Sequence, residues 1–204
     1  MTEMYNEFYS EDVGSFFRSP VREIFKKVDL NAIYSFAGGY PSADTFPLEE
    51  IDRTMSEVIA KYGAKAFQYG ATQGVPELRE AVAKRCGVPV ERVQITSSSQ
   101  QGIVCTRVLV DPGDVILTSS PSYLGALQSF RSYRADIRGV KHNADIEVFK
   151  QAYEDVIAQA HAEGKKIKFL YMIPDFQNPS GESLTLAERE MLVALAQKHD
   201  FLIV

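Results

Sequence analysis

The segment VILTSSPSYLGALQSFRSYRADIRGV, residues 115–140, decides the fold class of this protein. It opens with the apolar run VILTS (115–119) and closes with DIRGV (136–140), and neither run alternates cleanly between apolar and polar side chains. Short runs of this kind are typical of strands buried on both faces, as in a parallel sheet. The residues from Tyr123 to about Arg134 have a helical pattern. The segment therefore predicts a strand–helix–strand unit with two parallel strands.

The same alternation of strands and helices continues along most of the chain. Further short apolar runs lie at residues 93–96, 168–173 and 201–204. The last helix begins with a capping box, because Thr185 stands three residues before Glu188. Strands that alternate with helices predict a three-layer αβα domain around a mostly parallel sheet. The predicted helices span residues 47–63, 75–87, 100–110, 145–161 and 184–199.

The two ends of the chain differ from this pattern. Residues 1–34 scatter aromatic side chains among charges, and we interpret them as an N-terminal arm and part of a small second domain. Residues 35–204 then form the N-terminal part of the large domain. The final run, FLIV (201–204), has no helix after it to cover a buried strand. We therefore interpret the sequence as a truncated piece of a longer protein.

Composition excludes several classes of function. The 204 residues are 45% hydrophobic and carry a net charge of −5, with acidic and basic residues interleaved, so nucleic acid is not an expected partner. No run approaches the roughly 18 apolar residues of a membrane span. Two cysteines, Cys86 and Cys105, make no disulfide framework, which favours a cytoplasmic location. The three histidines lie far apart, so no metal site is predicted.

A serine-rich loop follows the apolar run at residues 93–96, in the segment VQITSSSQQGI (93–103). In an open α/β sheet, ligands collect where strand carboxyl ends meet helix amino ends. Unpaired N–H groups and the helix dipole favour an anion there, and Ser97, Ser98 and Ser99 add hydroxyl donors, so the loop predicts a phosphate cradle. The alternative is a helix cap, in which one hydroxyl bonds to the backbone and the others are solvated.

Two more segments follow predicted strands in the same way. SSPSYLGAL (119–127) puts Tyr123 at the carboxyl edge of the sheet, and PDFQNPSGESLT (174–185) puts Asn178 there. An aromatic face can stack on a planar ring, and an amide can donate to a phenolate-like oxygen. Taken singly, Tyr123 is also explained as a core aromatic and Asn178 as a turn residue. Together with the serine loop they predict a site for a planar, phosphorylated, phenol-bearing cofactor, a shape that pyridoxal phosphate has.

The chain resembles the N-terminal half of a class I/II aminotransferase of fold type I, close in pattern to the aminoadipate and kynurenine aminotransferase group. The resemblance covers roughly residues 33–204 and implies the large domain of an aspartate aminotransferase-like fold. Each segment alone is weak evidence, whereas five in the family's order and spacing are specific. These segments are FAGGYPSADTFPLEEI, FQYGATQGVPELREAVAKR, ITSSSQQGI, SPSYLGAL and FLYMIPDFQNPSGESLTLAERE.

The resemblance implies roles for residues at the cofactor. The phosphate of pyridoxal 5'-phosphate would be held by Ser98, Ser99 and Gln100 together with the loop backbone. Tyr123 would stack on the pyridine ring. Asn178 would donate to the cofactor's O3′ oxygen, stabilise its ionised form and also lie beside the substrate.

Other implied roles concern the substrate and a second subunit. Tyr69 would reach the phosphate of the neighbouring subunit, which implies a homodimer with a shared active site. Gly39 would lie beside the substrate's α-carboxylate, where a missing side chain lets the backbone approach closely. Arg18 is a further candidate for binding that carboxylate. The implied activity moves an amino group from an amino acid to a 2-oxo acid.

The chain departs from the family pattern in three ways, and one is that the distance from Arg18 to the following VRE is not the family's. Ser98 stands where the family usually has glycine, so we expect a changed or strained backbone torsion there. The Schiff-base lysine and the aspartate that pairs with the pyridine nitrogen have no counterpart, since Lys141 and Lys198 lie in predicted surface stretches. Both groups are expected beyond residue 204. We therefore expect the full-length protein to be the enzyme and residues 1–204 alone to be inactive.

Three alternatives remain at this point. Another fold-type-I enzyme, such as a β-lyase or a decarboxylase, would share the same cofactor cradle. A regulatory protein with an aminotransferase-like sensor domain is a second alternative, although residues 1–34 are short and acidic for a DNA-binding module. The third is a scaffold that dimerises without cofactor.

Overall fold

The computed structural model describes residues 7–10, 13, 28, 33 and 41–204. Residues 98–204 lie in one compact unit and residues 41–97 in another. The domain boundary predicted between residues 34 and 35 falls outside the described residues and stays a prediction.

Four parallel strands form one sheet in the unit of residues 98–204. They are β1 (Val115–Ser119), β2 (Asp136–Val140), β3 (Ile167–Tyr171) and β4 (Leu202–Ile203). Their order across the sheet is β2-β1-β3-β4, and every neighbouring pair is parallel. The predicted parallel sheet is therefore confirmed.

Helices precede the sheet and connect its strands, close to the predicted positions. Each predicted helix is present, and the bounds differ by a few residues at most, except that the third ends in a short 3₁₀ turn. The helices are α1 (Leu48–Tyr62), α2 (Pro76–Cys86), α3 (Ser99–Cys105), α4 (Leu124–Ser132), α5 (Ile146–Ala162) and α6 (Leu186–His199).

Both faces of the central strand β1 are buried under helices, and its successive side chains point to opposite faces. Val115 and Leu117 of β1 pack in a cluster with apolar residues of α5 and α6. Ile116, between them, packs on the other face with Ile103 of α3 and Phe130 of α4. All three β1 residues are fully buried. The unit therefore has the predicted three layers, with α5 and α6 on one face and α3 and α4 on the other.

One buried hydroxyl in this core has no hydrogen-bond partner among the described residues. Tyr153 of α5 is fully buried, and its ring packs edge-on against Phe149 with the ring centroids 5.2 Å apart. Burial raises the pKa of the Tyr153 hydroxyl. Such a group loses its hydrogen bonds to water without replacement, which costs stability.

The capping box predicted at the start of α6 is confirmed. The Thr185 hydroxyl accepts a hydrogen bond from the Glu188 backbone N–H at 3.3 Å, and the Glu188 carboxylate accepts from the Thr185 backbone N–H at 2.6 Å. The first turn of α6 therefore has partners for N–H groups that the helix itself leaves unpaired. The helix ends at His199, and the next residue, Asp200, takes a left-handed conformation with φ 54°.

The strand predicted at residues 93–96 is wrong. The segment is extended, but its backbone groups bond to the preceding chain and not to a strand of the sheet. The Ile95 N–H donates to the Gln73 carbonyl at 2.9 Å, and the Val93 carbonyl accepts from the Arg79 guanidinium at 2.9 Å. Gly74 allows this close approach, because a Cβ atom on it would lie 2.5 Å from the Ile95 side chain.

No helix among the described residues combines the length and apolar character that a membrane crossing requires. In the same part of the chain, no group of three or more His, Cys, Asp and Glu side chains is arranged to bind a metal ion.

Candidate functional site

The sheet has a topological switch point between β1 and β3. From β1 the chain runs through α4 to β2 on one side, and from β3 it runs through α6 to β4 on the other side. In open α/β sheets, ligands bind outside the carboxyl ends of strands at such a point. The loops that follow β1 and β3 therefore border the candidate site.

The loop after β1 carries Tyr123, which lies at the start of α4. Its half-buried side chain packs against the cluster that contains Tyr171, the last residue of β3. Burial first, and then the neighbouring Tyr123, raise the pKa of Tyr171. The ring of Tyr123 also lies over Gly125, since a Cβ atom on that glycine would come within 2.6 Å of the phenol. Gly125 thus leaves the space that this ring position requires.

The loop after β3 carries Asn178, which is exposed. The loop is held from outside by Arg189 of α6, which donates to the Pro174 carbonyl at 3.2 Å and to the Asp175 carboxylate at 2.6 Å. Its two arms are joined because the Leu184 N–H donates to the Pro174 carbonyl at 2.9 Å. Asn178 therefore lies on a loop that is braced at both ends.

Gln177 connects the two loops directly. Its side chain is buried, and its amide nitrogen lies 3.0 Å from the Ser119 hydroxyl and 2.9 Å from the Pro121 carbonyl. Ser119 ends β1, and Pro121 precedes Tyr123 by two residues. The structure therefore brings together the segments that carry Tyr123 and Asn178, as the sequence predicted.

The serine loop lies at the start of α3. Ser98 caps this helix, since its hydroxyl accepts from the Gln101 N–H at 3.4 Å. Its backbone is extended, with φ −169° and ψ 168°, a conformation open to any residue, so the strain expected at Ser98 is absent. Ser99 and Gln100 follow as exposed residues of the first turn. The predicted position after a sheet strand is wrong for this loop, because residues 93–96 form no strand.

The remaining predicted site residues belong to the other compact unit or lie outside the described residues. Tyr69 belongs to the unit of residues 41–97, where its side chain is fully exposed. Gly39 and Arg18 lie outside the described residues. Lys141 and Lys198 are exposed, as expected, and Lys198 is paired with Glu154 at 2.7 Å.

A polar cluster lies beside the site, where β2 ends. His142 Nε2 is 2.7 Å from a carboxylate oxygen of Glu188, and His142 Nδ1 is 3.4 Å from Glu182. Burial opposes ionisation of Glu188, but hydrogen bonds from Thr185 and His142 outweigh it, and the pKa of Glu188 is lowered. The cluster therefore holds an ionised carboxylate inside the protein.

A small cavity lies between this cluster and the two loops. It measures about 20 Å³, and its lining includes Ser119, His142, Gln177 and Glu182. A space of this size holds about one water molecule. A phosphorylated ring does not fit in this cavity.

Sequence reasoning missed Gln177 and Gly125. Gln177 stands beside Asn178 in the quoted strand-end segment, and this adjacency was the only signal available. Neither its burial nor its bonds to a loop 58 residues away can be read from local pattern. Gly125 looks like an ordinary helical glycine until the ring above it is seen.

The chain is similar to known proteins in both sequence and structure. The family model described as Aminotransferase class I and II matches residues 36–204. Aromatic-amino-acid aminotransferase 1 from Thermococcus litoralis is 38% identical over 98% of this chain and 49% of its own length. The chain thus spans about half the length of the curated relatives it matches.

Solved structures agree with this match. The kynurenine aminotransferase of Pyrococcus horikoshii, crystallised in complex with PMP, has a TM-score of 0.83 at 35% identity, covering 97% of this chain and 50% of that chain. The α-aminoadipate aminotransferase of Thermus thermophilus, complexed with N-(5'-phosphopyridoxyl)-L-leucine, has a TM-score of 0.82 at 32% identity and covers 98% and 49%. Both likenesses extend over nearly all of this chain.

Proposed function

The chain belongs to the class I and II aminotransferase family, and from this premise we propose that the intact protein moves an amino group from an amino acid to a 2-oxo acid, with pyridoxal 5'-phosphate as cofactor. The proposal rests chiefly on the parallel pairing of β1 with β3, which sets the loops of Tyr123 and Asn178 side by side at the switch point. The names of the relatives favour aromatic amino acids and 2-aminoadipate as substrates.

The residues at the switch point suit this cofactor chemically. The ring of Tyr123 has a flat face for stacking, and Gly125 leaves that ring room. The exposed amide of Asn178 is a donor on a braced loop, suited to the cofactor's O3′ oxygen. When bound, the cofactor supplies an electron sink for charge that develops at the substrate's α-carbon.

The start of α3 is proposed to hold the phosphate. Ser98, Ser99 and Gln100 offer hydroxyl, amide and backbone N–H donors to an anion. A serine hydroxyl that accepts a hydrogen bond, as Ser98 does in its cap, can still donate one. The cap and the phosphate contact are therefore compatible.

The proposal includes a homodimer in which each subunit completes the other's site. Tyr69 would reach the phosphate of the neighbouring subunit, and its complete exposure leaves its hydroxyl accessible to such a partner. Gly39 and Arg18 would lie at the substrate carboxylate, and this assignment rests on the family pattern alone. The domain division into residues 1–34 and 35–204 is proposed on the same basis.

The lysine that carries the cofactor is proposed to lie outside residues 1–204. Lys198 is engaged by Glu154, which leaves it unsuited to the task. We also propose a cytoplasmic location, supported by the two free, exposed thiols of Cys86 and Cys105.

The test is a transfer assay on the intact protein. The protein should bind pyridoxal phosphate, with a visible absorption band, and should consume aromatic amino acids or 2-aminoadipate only when a 2-oxo acid is supplied. Tyr123→Leu and Asn178→Leu should each lower kcat/KM by at least about tenfold, whereas Gln197→Leu, an exposed helical control, should not. Turnover without any 2-oxo acid would instead identify a β-lyase or a decarboxylase.

A further inference from the structure

The amide of Gln177 is fully used inside the protein. Only 6% of the residue is exposed. Its nitrogen donates to the Ser119 hydroxyl at 3.0 Å and to the Pro121 carbonyl at 2.9 Å. Its oxygen accepts from the backbone N–H of Ser180 at 2.9 Å and from the Ser180 hydroxyl at 2.8 Å. A glutamine amide has two donor hydrogens and two acceptor lone pairs, so each has a partner.

These four bonds join the two segments that border the switch point. On one side lie the end of β1 and the approach to Tyr123, and on the other side lies the turn that contains Asn178. The backbone of Gln177 is also held, because its N–H donates to the Glu182 carbonyl at 2.8 Å. A single buried side chain, that of Gln177, therefore ties the turn that contains the next residue, Asn178, to the loop of Tyr123.

The outer part of the loop is held by other groups. Arg189 bonds to Pro174 and Asp175, and Leu184 closes the loop by its bond to Pro174. When the Gln177 donors are removed, the loop after β3 therefore stays anchored to α6. Only its hydrogen bonds to the loop after β1 are lost. A change at Gln177 should consequently act on site geometry more than on folding.

We infer that Gln177 is a positioning residue, which sets the separation between the stacking ring of Tyr123 and the amide of Asn178. This inference rests on the proposed function, because it assigns both of those groups to the cofactor. It goes beyond that proposal, since it assigns a role to a buried side chain whose amide bonds only within the protein.

The test compares Gln177→Glu with wild type on the intact holoprotein. Glutamate has the same shape, but its ionised carboxylate cannot donate to Ser119 or Pro121. Since the bond to the Pro121 carbonyl is lost and the Ser119 hydroxyl would have to turn and donate to the carboxylate, the affinity for pyridoxal phosphate should fall at least about tenfold. The pH at which the bound cofactor's absorption changes should also move, because the donation from Asn178 to O3′ is disturbed. Gln197→Glu, an exposed change of the same kind, should alter neither quantity.

A milder variant covers the case in which Gln177→Glu does not fold. Ser119→Ala removes one acceptor from the β1 side of the bridge and should move the affinity and the spectral midpoint in the same direction, by less. A lower melting temperature with unchanged cofactor affinity and unchanged spectral midpoint would show a purely structural role and overturn the inference. A wild-type protein that binds no pyridoxal phosphate would overturn the proposed function itself, a result that does not depend on any variant.

Discussion

Gly125 lies so close to Tyr123 that a Cβ atom on it would come within 2.6 Å of the phenol ring. Gly125→Ala should therefore displace the ring, while the better helix propensity of alanine offsets any loss of stability. We expect cofactor affinity to fall roughly fivefold with a melting temperature equal to or above wild type. Cofactor titration and thermal unfolding of the intact protein measure the two effects. Gln197→Ala should leave affinity unchanged, and equal affinity in the Gly125→Ala protein would show that the ring position does not matter.

Removal of the hydroxyl from two buried tyrosines should have opposite effects on the free energy of unfolding. The Tyr153 hydroxyl has no partner within the described part of the chain, so Tyr153→Phe should raise the free energy of unfolding by roughly 1 kcal/mol. The Tyr133 hydroxyl lies 3.1 Å from the Ile103 carbonyl and 3.2 Å from that of Val104, so Tyr133→Phe should lower it by a similar amount. Chemical denaturation of both variants measures the difference. A loss of stability in both would mean that the Tyr153 hydroxyl is satisfied in the intact protein.

At this scale, the sequence identifies residues whose role depends on their place in a motif. Tyr123 and Asn178 follow strand-like runs, and strand ends meet at one edge of a parallel sheet, so their proximity could be predicted. Gln177 and Gly125 act through contacts with side chains elsewhere in the fold. Such contacts depend on the final packing, which local pattern does not contain.

Among the elements, the start of α6 depends on an ionised carboxylate. The folded-state pKa of Glu188 lies below its ordinary value of 4.5, so its stabilising effect is present above that pH and is lost as the pH falls through the folded-state value. Glu188→Gln should cost about 1–2 kcal/mol at neutral pH, since charge-assisted hydrogen bonds are lost. The difference from wild type should shrink as the pH falls below 4.5 and Glu188 takes up its proton.

Thermal unfolding across this pH range measures the effect of Glu188. Glu190→Gln, an exposed change two residues along the same helix, is the matched control and should show little difference at any pH. A stability gap for Glu188→Gln that stays constant from neutral to acid pH contradicts the assigned role.

Elements with strong local signals were predicted nearly to the residue. The capping box fixed the start of α6, and the two apolar runs of the opening segment became β1 and β2 with the predicted bounds. The segment 93–96 has equally β-prone residues but became no strand. Whether an extended segment joins a sheet depends on a partner, and here Gln73 and Arg79 bind its backbone groups in place of a neighbouring strand.

At the scale of the whole molecule, the proposed shared site predicts that two inactive variants can restore activity when they form a dimer together. Tyr69→Leu and Asn178→Leu should each inactivate a homodimer. A hybrid dimer of one Tyr69→Leu and one Asn178→Leu subunit should regain one intact site, because that site takes Asn178 from one subunit and Tyr69 from the other. In a twofold dimer, random mixing should restore about a quarter of wild-type activity.

Mixing the purified variants, after dissociation and reassembly, measures this recovery. A double variant, Tyr69→Leu with Asn178→Leu, mixed with wild type is the control for subunit exchange. No recovery above the separate variants, when exchange is verified, would show that each site is built from one subunit.

The order of strands across the sheet has a consequence for biosynthesis. The bridge from Gln177 spans 58 residues back to Ser119, and it forms only when β3 has docked beside β1, on the side away from β2. A nascent chain that has emerged from the ribosome only as far as β2 therefore has neither the strand that docks beside β1 nor the loop that Gln177 attaches to it. The loops of Tyr123 and Asn178 can be joined only after the segment that follows β3 has been translated and has closed over the end of β1.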